Sequence, residues 1–214
     1  MKRLTQLAAG AVLCCTLAGY LESAHQAREC NAPCEQFHIN SNASSPLRAV
    51  ILTPPNGCTT RMSNGFTLPD PTCTPGAINP TLNADVLRNP AFRTCCVRNN
   101  ATTEQQKAST YDWYHITHPT HNTGQSQTSE LDHLVSLELG GADTLDNIWP
   151  QCGPPEVALG DRYFKQKDMV ENYLAAQVKA GSIDLGDAQE GIANDWTQYL
   201  EAAKAHFHRS GGDK

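Results

Sequence analysis

The sequence predicts an α+β protein with a loop-rich, disulfide-tied N-terminal half and two C-terminal helices. Three observations predict it. Proline, glycine, asparagine and serine break up the chain throughout residues 28–128. Short apolar runs typical of strands occur at residues 131–139 and 147–150. Residues 161–180 and 184–208 carry apolar residues at helical intervals.

Length and charge limit the classes of function. The chain has 214 residues, of which 39% are apolar, enough for one modest core. Sixteen Lys and Arg residues against 22 Asp and Glu residues leave a formal net charge of −6. Because no broad basic surface exists to hold nucleic acid, any contact with nucleic acid must be local.

The first 27 residues have the layout of a secretory signal peptide. Two basic residues precede an apolar run over residues 7–18, which then gives way to small and polar residues. A run this short falls below the ~20 residues that span a bilayer as a helix, so we expect cleavage rather than anchoring. The mature chain is then secreted or periplasmic, with no stable membrane association. Cleavage remains open after Ala18, Ala24 and Ala27.

Seven cysteines follow the predicted signal peptide. In an oxidising compartment they are expected to form up to three disulfides, with one cysteine left over. Structural zinc is the competing interpretation, but no CxxC pair occurs. The candidate disulfide cysteines are Cys30, Cys34, Cys58, Cys73, Cys95, Cys96 and Cys152.

The mature chain divides into three parts that differ in residue composition. Residues 28–72 form a cysteine-containing leader rich in Pro, Asn and Ser, with one strand predicted over residues 47–53. Residues 73–208 form the predicted folded domain, and residues 209–214 a short tail. Within that domain a short helix is predicted from residue 103 to about residue 111.

The two C-terminal helices have recognisable ends. Gly181 closes the first helix, and Asp184 is the predicted N-cap of the second. In the second helix, apolar residues recur at intervals of three and four: Leu185, Ala188, Ile192, Trp196, Leu200, Ala203 and Phe207.

A polar cluster interrupts the apolar run at residues 131–139. Asp132 and His133 are adjacent, so on a regular strand they point to opposite faces and serve one site only near a strand end or bulge. A Gly-Gly turn and Asn147 follow within fifteen residues. Such a unit gathers a carboxylate for a cation, an imidazole to activate water and an amide to fix the loop. This set suits metal-assisted phosphodiester hydrolysis.

The run LDHLVSLELGGADTLDNIWP resembles the ββα-metal finger of HNH-type (His-Me finger) nucleases. It is most similar to a secreted bacterial branch whose motif reads approximately DHLxPLxLGG, then NLWP, then a helix beginning KDxxEN. Here KDMVEN occupies residues 167–172, while CTPGAINP at residues 73–80 and the segment 188–196 match two further blocks. The similarity covers roughly residues 68–200, and Ser136 stands where the branch has proline.

The resemblance implies an HNH-like ββα-metal finger and roles for individual residues. His133 is expected to be the general base and Asp132 a metal ligand, while Asn147 ties down the loop and orients the histidine. Asn172 is the first choice for the second metal ligand, with Asp168 and Glu171 as alternatives. Because these donors are oxygen atoms, the expected cofactor is Mg²⁺ or Mn²⁺.

Two lesser expectations accompany these roles. Lys167 and Arg162 are candidate contacts to the substrate phosphate. A disulfide from Cys73 to Cys96 is a hypothesis, since both cysteines lie in the region that resembles the family.

The function implied is that of a secreted, divalent-metal-dependent endonuclease acting on DNA, or alternatively on RNA. Water would attack phosphorus in line while His133 accepts its proton. One alternative is a catalytically inactive binding or toxin-like module that keeps the finger as a scaffold. Another is a disulfide-rich surface protein in which the Asp-His pair is incidental.

Overall fold

The computed structural model describes residues 34–48 and 57–211, with side chains up to residue 208. The predicted signal peptide, Cys30 and most of the strand predicted over residues 47–53 lie outside the described residues. Within the described part of the chain, no helix is both long and apolar enough to cross a membrane.

The described chain is α+β, with helices and small antiparallel sheets. The helices are α1 (Ala84–Arg88), α2 (Glu104–Trp113), α3 (Tyr163–Ala180), α4 (Leu185–Asp195) and α5 (Leu200–Gly211). The strands are β1 (Ser45–Pro46), β2 (Arg61–Ser63), β3 (Phe66–Leu68), β4 (Ala77–Ile78), β5 (Ser129–His133) and β6 (Ile148–Cys152). They pair as β1 with β4, β2 with β3 and β5 with β6, always antiparallel.

The β5–β6 hairpin is the longest of these pairs and carries the Asp-His cluster. Its register runs from Ser129 opposite Cys152 to His133 opposite Ile148. Helix α3 packs against both strands, so β5, β6 and α3 follow one another in chain order and in space.

The apolar run at residues 131–139 is not one strand, contrary to the sequence prediction. Strand β5 ends at His133, and a 3-10 helix spans Leu137–Leu139. The chain then turns through Gly140, whose φ is +75°, and Gly141, where a Cβ atom would lie 1.9 Å from the carbonyl oxygen of Val135. Because only glycine tolerates that approach, the Gly-Gly pair folds the run back on itself.

The last predicted helix is also divided. A 3-10 turn, Trp196–Tyr199, separates α4 from α5. Asp195 leaves the helical region at φ −163°, and its side chain accepts a hydrogen bond from the backbone amide of Thr197. An N-cap of this kind starts a new helical segment. The ends at Gly181 and Asp184 and the short α2 helix, capped by Thr103, agree with the sequence prediction.

The main core lies between the hairpin, α3 and the two last helices. Its largest fully buried side chains include Trp149, Trp196, Leu174 and Ile192. A second apolar cluster, around Leu87, packs on the other side of the 3-10 helix Leu137–Leu139. The 3-10 helix that follows β5 is therefore held between two apolar clusters.

Disulfides hold the N-terminal part, but not with the expected partners. Cys34 bonds Cys96 and Cys58 bonds Cys73, so the hypothesis of a Cys73–Cys96 link is wrong. Cys95 is also disulfide-bonded, and Cys152 is the one free cysteine among the described residues. Disulfides of this number indicate a protein that matures in an oxidising compartment.

Candidate functional site

His133, the last residue of β5, lines a cleft of about 300 Å³. Two groups of residues share this lining. The first, which we call the β5–α3 lining, is acidic and consists of Glu130, Asp132, Asp168, Glu171 and Asn172, with Leu131. The second, the loop lining, consists of Thr94, Arg98, Ser136, Leu137 and Glu138.

The imidazole of His133 is paired with a carboxylate that the sequence analysis did not single out. Nε2 of His133 lies 2.8 Å from Oδ1 of Asp143, which is only 1% exposed. Asp143 follows the Gly-Gly turn, so the fold-back of the chain brings it to the end of β5. The histidine side chain keeps 13% of its surface exposed.

Asp143 is held as an anion by several donors. Lys107 of α2 places its ammonium 3.0 Å from Oδ1, and the backbone amide of Asn99 donates to Oδ2 at 2.9 Å. Burial alone would raise the pKa of Asp143, but the hydrogen bonds from His133, Asn99 and Lys107, with the charge that the imidazole carries when it is protonated, hold it well below its usual range. An anionic carboxylate only accepts, so Nε2 of His133 carries the hydrogen and Nδ1 keeps the lone pair of the neutral ring.

Asn147 braces the segment between β5 and β6. Its amide is fully buried and donates to the carbonyl oxygens of Val135 and Ala142, at 2.9 and 2.8 Å. Its Oδ1 accepts from the amides of Val135 and Ala77. The side chain thus satisfies four backbone groups, and its contacts reach the loop rather than the cleft.

The predicted ligand Asp132 lies against a buried cation. Its Oδ2 accepts from Nε1 of Trp149 at 3.1 Å and lies 2.9 Å from Nζ of Lys167. The same ammonium pairs with Glu171 and donates to the carbonyl oxygen of His133 at 2.8 Å. Burial raises the pKa of Glu171 against the opposing charge of Lys167, and the two carboxylates raise the pKa of Lys167 against its own burial.

The two predicted phosphate contacts are buried and have partners within the protein. Lys167 is fully buried with its ammonium engaged as described, and Arg162 is 5% exposed and donates to the carbonyl oxygens of Gln127 and Pro155. Neither side chain faces solvent. In this structure both side chains therefore bind protein groups beside α3.

The other candidate ligands lie on α3 beside the cleft. Asn172 is exposed, and its Nδ2 donates to the carbonyl oxygen of Asp168 at 2.8 Å, which leaves its Oδ1 as an acceptor. The carboxylate of Asp168 pairs with Lys165 at 2.8 Å, and Lys165 also reaches Glu130.

The oxygen donors of the β5–α3 lining are of the type that a hard divalent cation binds. The described carboxylates and histidines do not, however, place three ligand atoms close together. Mg²⁺ commonly retains several waters and uses only one or two carboxylates, and the β5–α3 lining offers carboxylates and an amide oxygen. Among the described residues, the one group of three ligand atoms lying within 4.8 Å of one another is that of Cys34, Cys95 and Cys96. These cysteines are all disulfide-bonded, so they have no thiolate to offer.

Sequence reasoning missed Asp143, Lys107 and Arg98. Asp143 lies in a turn beside Asp146 and has no pattern of its own, while Lys107 and Arg98 come from segments far from the motif in sequence. The one available signal was that Asp143 and Asp146 lie between the Gly-Gly turn and Asn147, close enough in sequence to suggest a partner for the histidine.

The chain matches no family model, no curated protein and no solved structure in the comparisons with known proteins.

Proposed function

We propose that this protein is an endonuclease that hydrolyses phosphodiester bonds with a divalent cation, and that His133 is its general base. The observation that carries the proposal is the hydrogen bond from His133 to the buried Asp143, at the edge of a cleft with an oxygen-rich lining. A carboxylate-oriented neutral imidazole is the usual arrangement for taking a proton from water.

The chain's own groups act in a defined order. Asp143 fixes the ring and its tautomer through Nε2, so that Nδ1 is the atom that accepts the proton from the attacking water. Asp143 then stabilises the imidazolium that results. Asn147 holds the loop that carries Asp143, and it therefore positions the base without touching the substrate.

The negative charge of the cleft explains why a bound cation would be needed. The carboxylates of the β5–α3 lining repel a phosphate, and the ammonium of Lys167 is already paired with Asp132 and Glu171. Mg²⁺ or Mn²⁺, held by Asp132 and Asn172 with Asp168 and Glu171 as alternatives, would neutralise the phosphate and the leaving oxygen. Asp132 would share its carboxylate between that ion and Lys167.

The substrate class is a nucleic acid, with DNA placed first and RNA second. The net charge of −6 argues for a small contact area rather than an extended basic surface. A protein with an N-terminal signal peptide and disulfides would act outside the cytoplasm, as a secreted or periplasmic nuclease.

The test is cleavage of plasmid DNA and of RNA by the oxidised chain with Mg²⁺, Mn²⁺ or EDTA. Metal-dependent cleavage is expected, with a loss of ~10²-fold or more in His133→Ala. His121→Ala removes an exposed histidine that does not line the cleft and is expected to retain full activity. Cleavage that is equal in His133→Ala and the wild type would overturn the role of the base.

A second candidate is a binding module without catalysis. It is favoured by the position of the Lys167 ammonium, which already neutralises two of the candidate ligands, and by the absence of a preformed three-ligand group among the described carboxylates and histidines. Nucleic acid binding by a folded, oxidised protein that never cleaves, with any of the three additions, would select this alternative.

A further inference from the structure

The loop lining of the cleft contains three side-chain hydrogen-bond donors without a partner in the described part of the chain. We propose that Thr94, Arg98 and Ser136 form a binding surface for a phosphodiester group of the substrate strand. The proposal rests on the proposed function, which it extends by assigning the phosphate to the loop lining and the cation to the β5–α3 lining.

Ser136 shows the strongest sign of a missing ligand. The residue is only 3% exposed, and its Oγ has no hydrogen-bond partner among the described residues. Its backbone oxygen is fully used, accepting from the amides of Leu139 and Gly141. Buried hydroxyls are nearly always paired, because an unpaired one loses its interactions with water. Because Ser136 lines the cleft, its unpaired hydroxyl is a candidate partner for a group that enters the cleft.

Arg98 supplies the charge. Of the six arginines whose side chains are described, it alone has neither a side-chain hydrogen bond nor an ion pair; the other five are Arg48, Arg61, Arg88, Arg93 and Arg162. It is exposed and lines the cleft, which it shares with several carboxylates, none of which binds it. A planar guanidinium presents paired N–H groups that match two oxygens of a phosphate.

Thr94 completes the surface from the same short segment. It begins the 3-10 helix Thr94–Val97, directly before Arg98, and its hydroxyl has no partner among the described residues. Thr94, Arg98 and Ser136 thus line a cleft whose remaining polar lining is mostly carboxylate. Among the described residues that line this cleft, Arg98 is the one cation without a partner, so an entering phosphate meets that charge on the loop lining.

The contacts of Asp143 fix the position of this surface relative to His133. The backbone amide of Asn99, next to Arg98, donates to Asp143 at 2.9 Å, and Asp143 in turn binds His133 at 2.8 Å. On the other side, the Cys34–Cys96 disulfide anchors the 3-10 helix. One carboxylate therefore sets both the orientation of the imidazole and the position of the segment that carries the guanidinium.

Binding of a short fluorescein-labelled DNA strand, measured by anisotropy in the His133→Ala background, separates contact from chemistry. Arg98→Gln is expected to weaken binding about tenfold and to reduce the slope of log K against log[salt] by about 0.7, the value for one phosphate contact on a single strand. Ser136→Ala and Thr94→Val are expected to weaken binding several-fold without changing the slope. The matched control is Arg93→Gln, which removes the same charge one residue before the 3-10 helix, from a side chain that bonds to Pro90 and Phe92 outside the cleft.

Stability distinguishes a ligand contact from a structural role. Because Ser136 Oγ has no partner in the described protein, Ser136→Ala is expected to unfold at the same denaturant concentration as its parent, or a higher one, while it binds more weakly. A lower midpoint with unchanged binding would assign Ser136 to the fold and overturn its part in the surface.

Each remaining outcome decides a separate question. Equal binding and equal salt slopes in Arg98→Gln and Arg93→Gln would overturn the phosphate surface, whether or not the wild-type chain cleaves. An Arg98-dependent slope in a chain that never cleaves would keep the surface and reject the nuclease. The last comparison repeats the binding measurement with the same strand made as RNA. An effect of Ser136→Ala that is confined to RNA would assign the Ser136 hydroxyl to the ribose instead of the phosphate.

Discussion

Nε2 of His133 lies 2.8 Å from Oδ1 of Asp143, although the two residues belong to different segments, the end of a strand and the loop after a Gly-Gly turn. The carboxylate also binds Lys107, which is 7% exposed. One buried anion therefore joins the candidate base to helix α2. The consequences for catalysis and for stability can be separated by substitution.

Asp143→Asn is expected to lower kcat by ~10²-fold or more, because an amide can donate to Nε2 and favour the wrong tautomer. It is also expected to cost up to about 3 kcal/mol of the free energy of unfolding, since Lys107 loses its buried partner. The double variant Asp143→Asn/Lys107→Met removes that unpaired charge. Urea unfolding and single-turnover cleavage of the same preparations should show stability regained while kcat stays low; a kcat restored together with stability would assign Asp143 to the fold alone.

Asn147→Ala is expected to destabilise the protein strongly without removing any group from the cleft. The side chain satisfies backbone groups of Ala77, Val135 and Ala142, and each one left unpaired in the interior costs about 1–3 kcal/mol. The measurement is the urea midpoint. Asn172→Ala, which truncates an exposed asparagine on α3, is the matched control and should stay within about 0.5 kcal/mol of the wild type. Equal midpoints for the two variants would contradict the bracing role.

Tyr114 is expected to make the protein sensitive to alkali. Burial raises the pKa of Tyr114 to about 12, against hydrogen bonds with Thr74 and the backbone of Asp70 that oppose the rise. A phenol whose folded pKa is raised contributes stability that is complete below its unfolded pKa of about 10 and is lost as the pH rises toward 12. Tyr114→Phe lacks this contribution. The gap in unfolding free energy between the two proteins should therefore shrink over that interval, and a constant gap would contradict the prediction.

The disulfide arrangement makes a prediction that does not depend on any activity. Peptide mapping without reduction should recover Cys34 linked to Cys96 and Cys58 linked to Cys73. Replacing both Cys58 and Cys73 with serine opens a link between residues 15 apart and is expected to cost about 3 kcal/mol. Denaturation in urea measures the loss. Recovery of a Cys73–Cys96 peptide would contradict the structure.

The elements that local sequence determines agree with the structure. The end of α3 at Gly181, the N-cap of α4 at Asp184 and the start of α2 near residue 103 depend on residues within a few positions of each other. The prediction of one helix over residues 184–208 was wrong, because Asp195 caps a new helical segment. The strand predicted to continue past His133 was wrong because the Gly-Gly turn reverses the chain through a contact with Val135, which a pattern of apolar residues does not record.

By itself, the sequence determined the α+β class, the helix boundaries at Gly181 and Asp184 and the position of the Asp132–His133 pair, because these follow from neighbouring residues and from the periodicity of apolar side chains. Only the tertiary structure decided which groups surround that pair. It brought Asp143 and Lys107 to the histidine, buried Lys167 between Asp132 and Glu171, and left Arg98 unpaired in the cleft among the described arginines. Charge pairing and burial depend on distances between segments that are far apart in the chain, and those distances are set by packing.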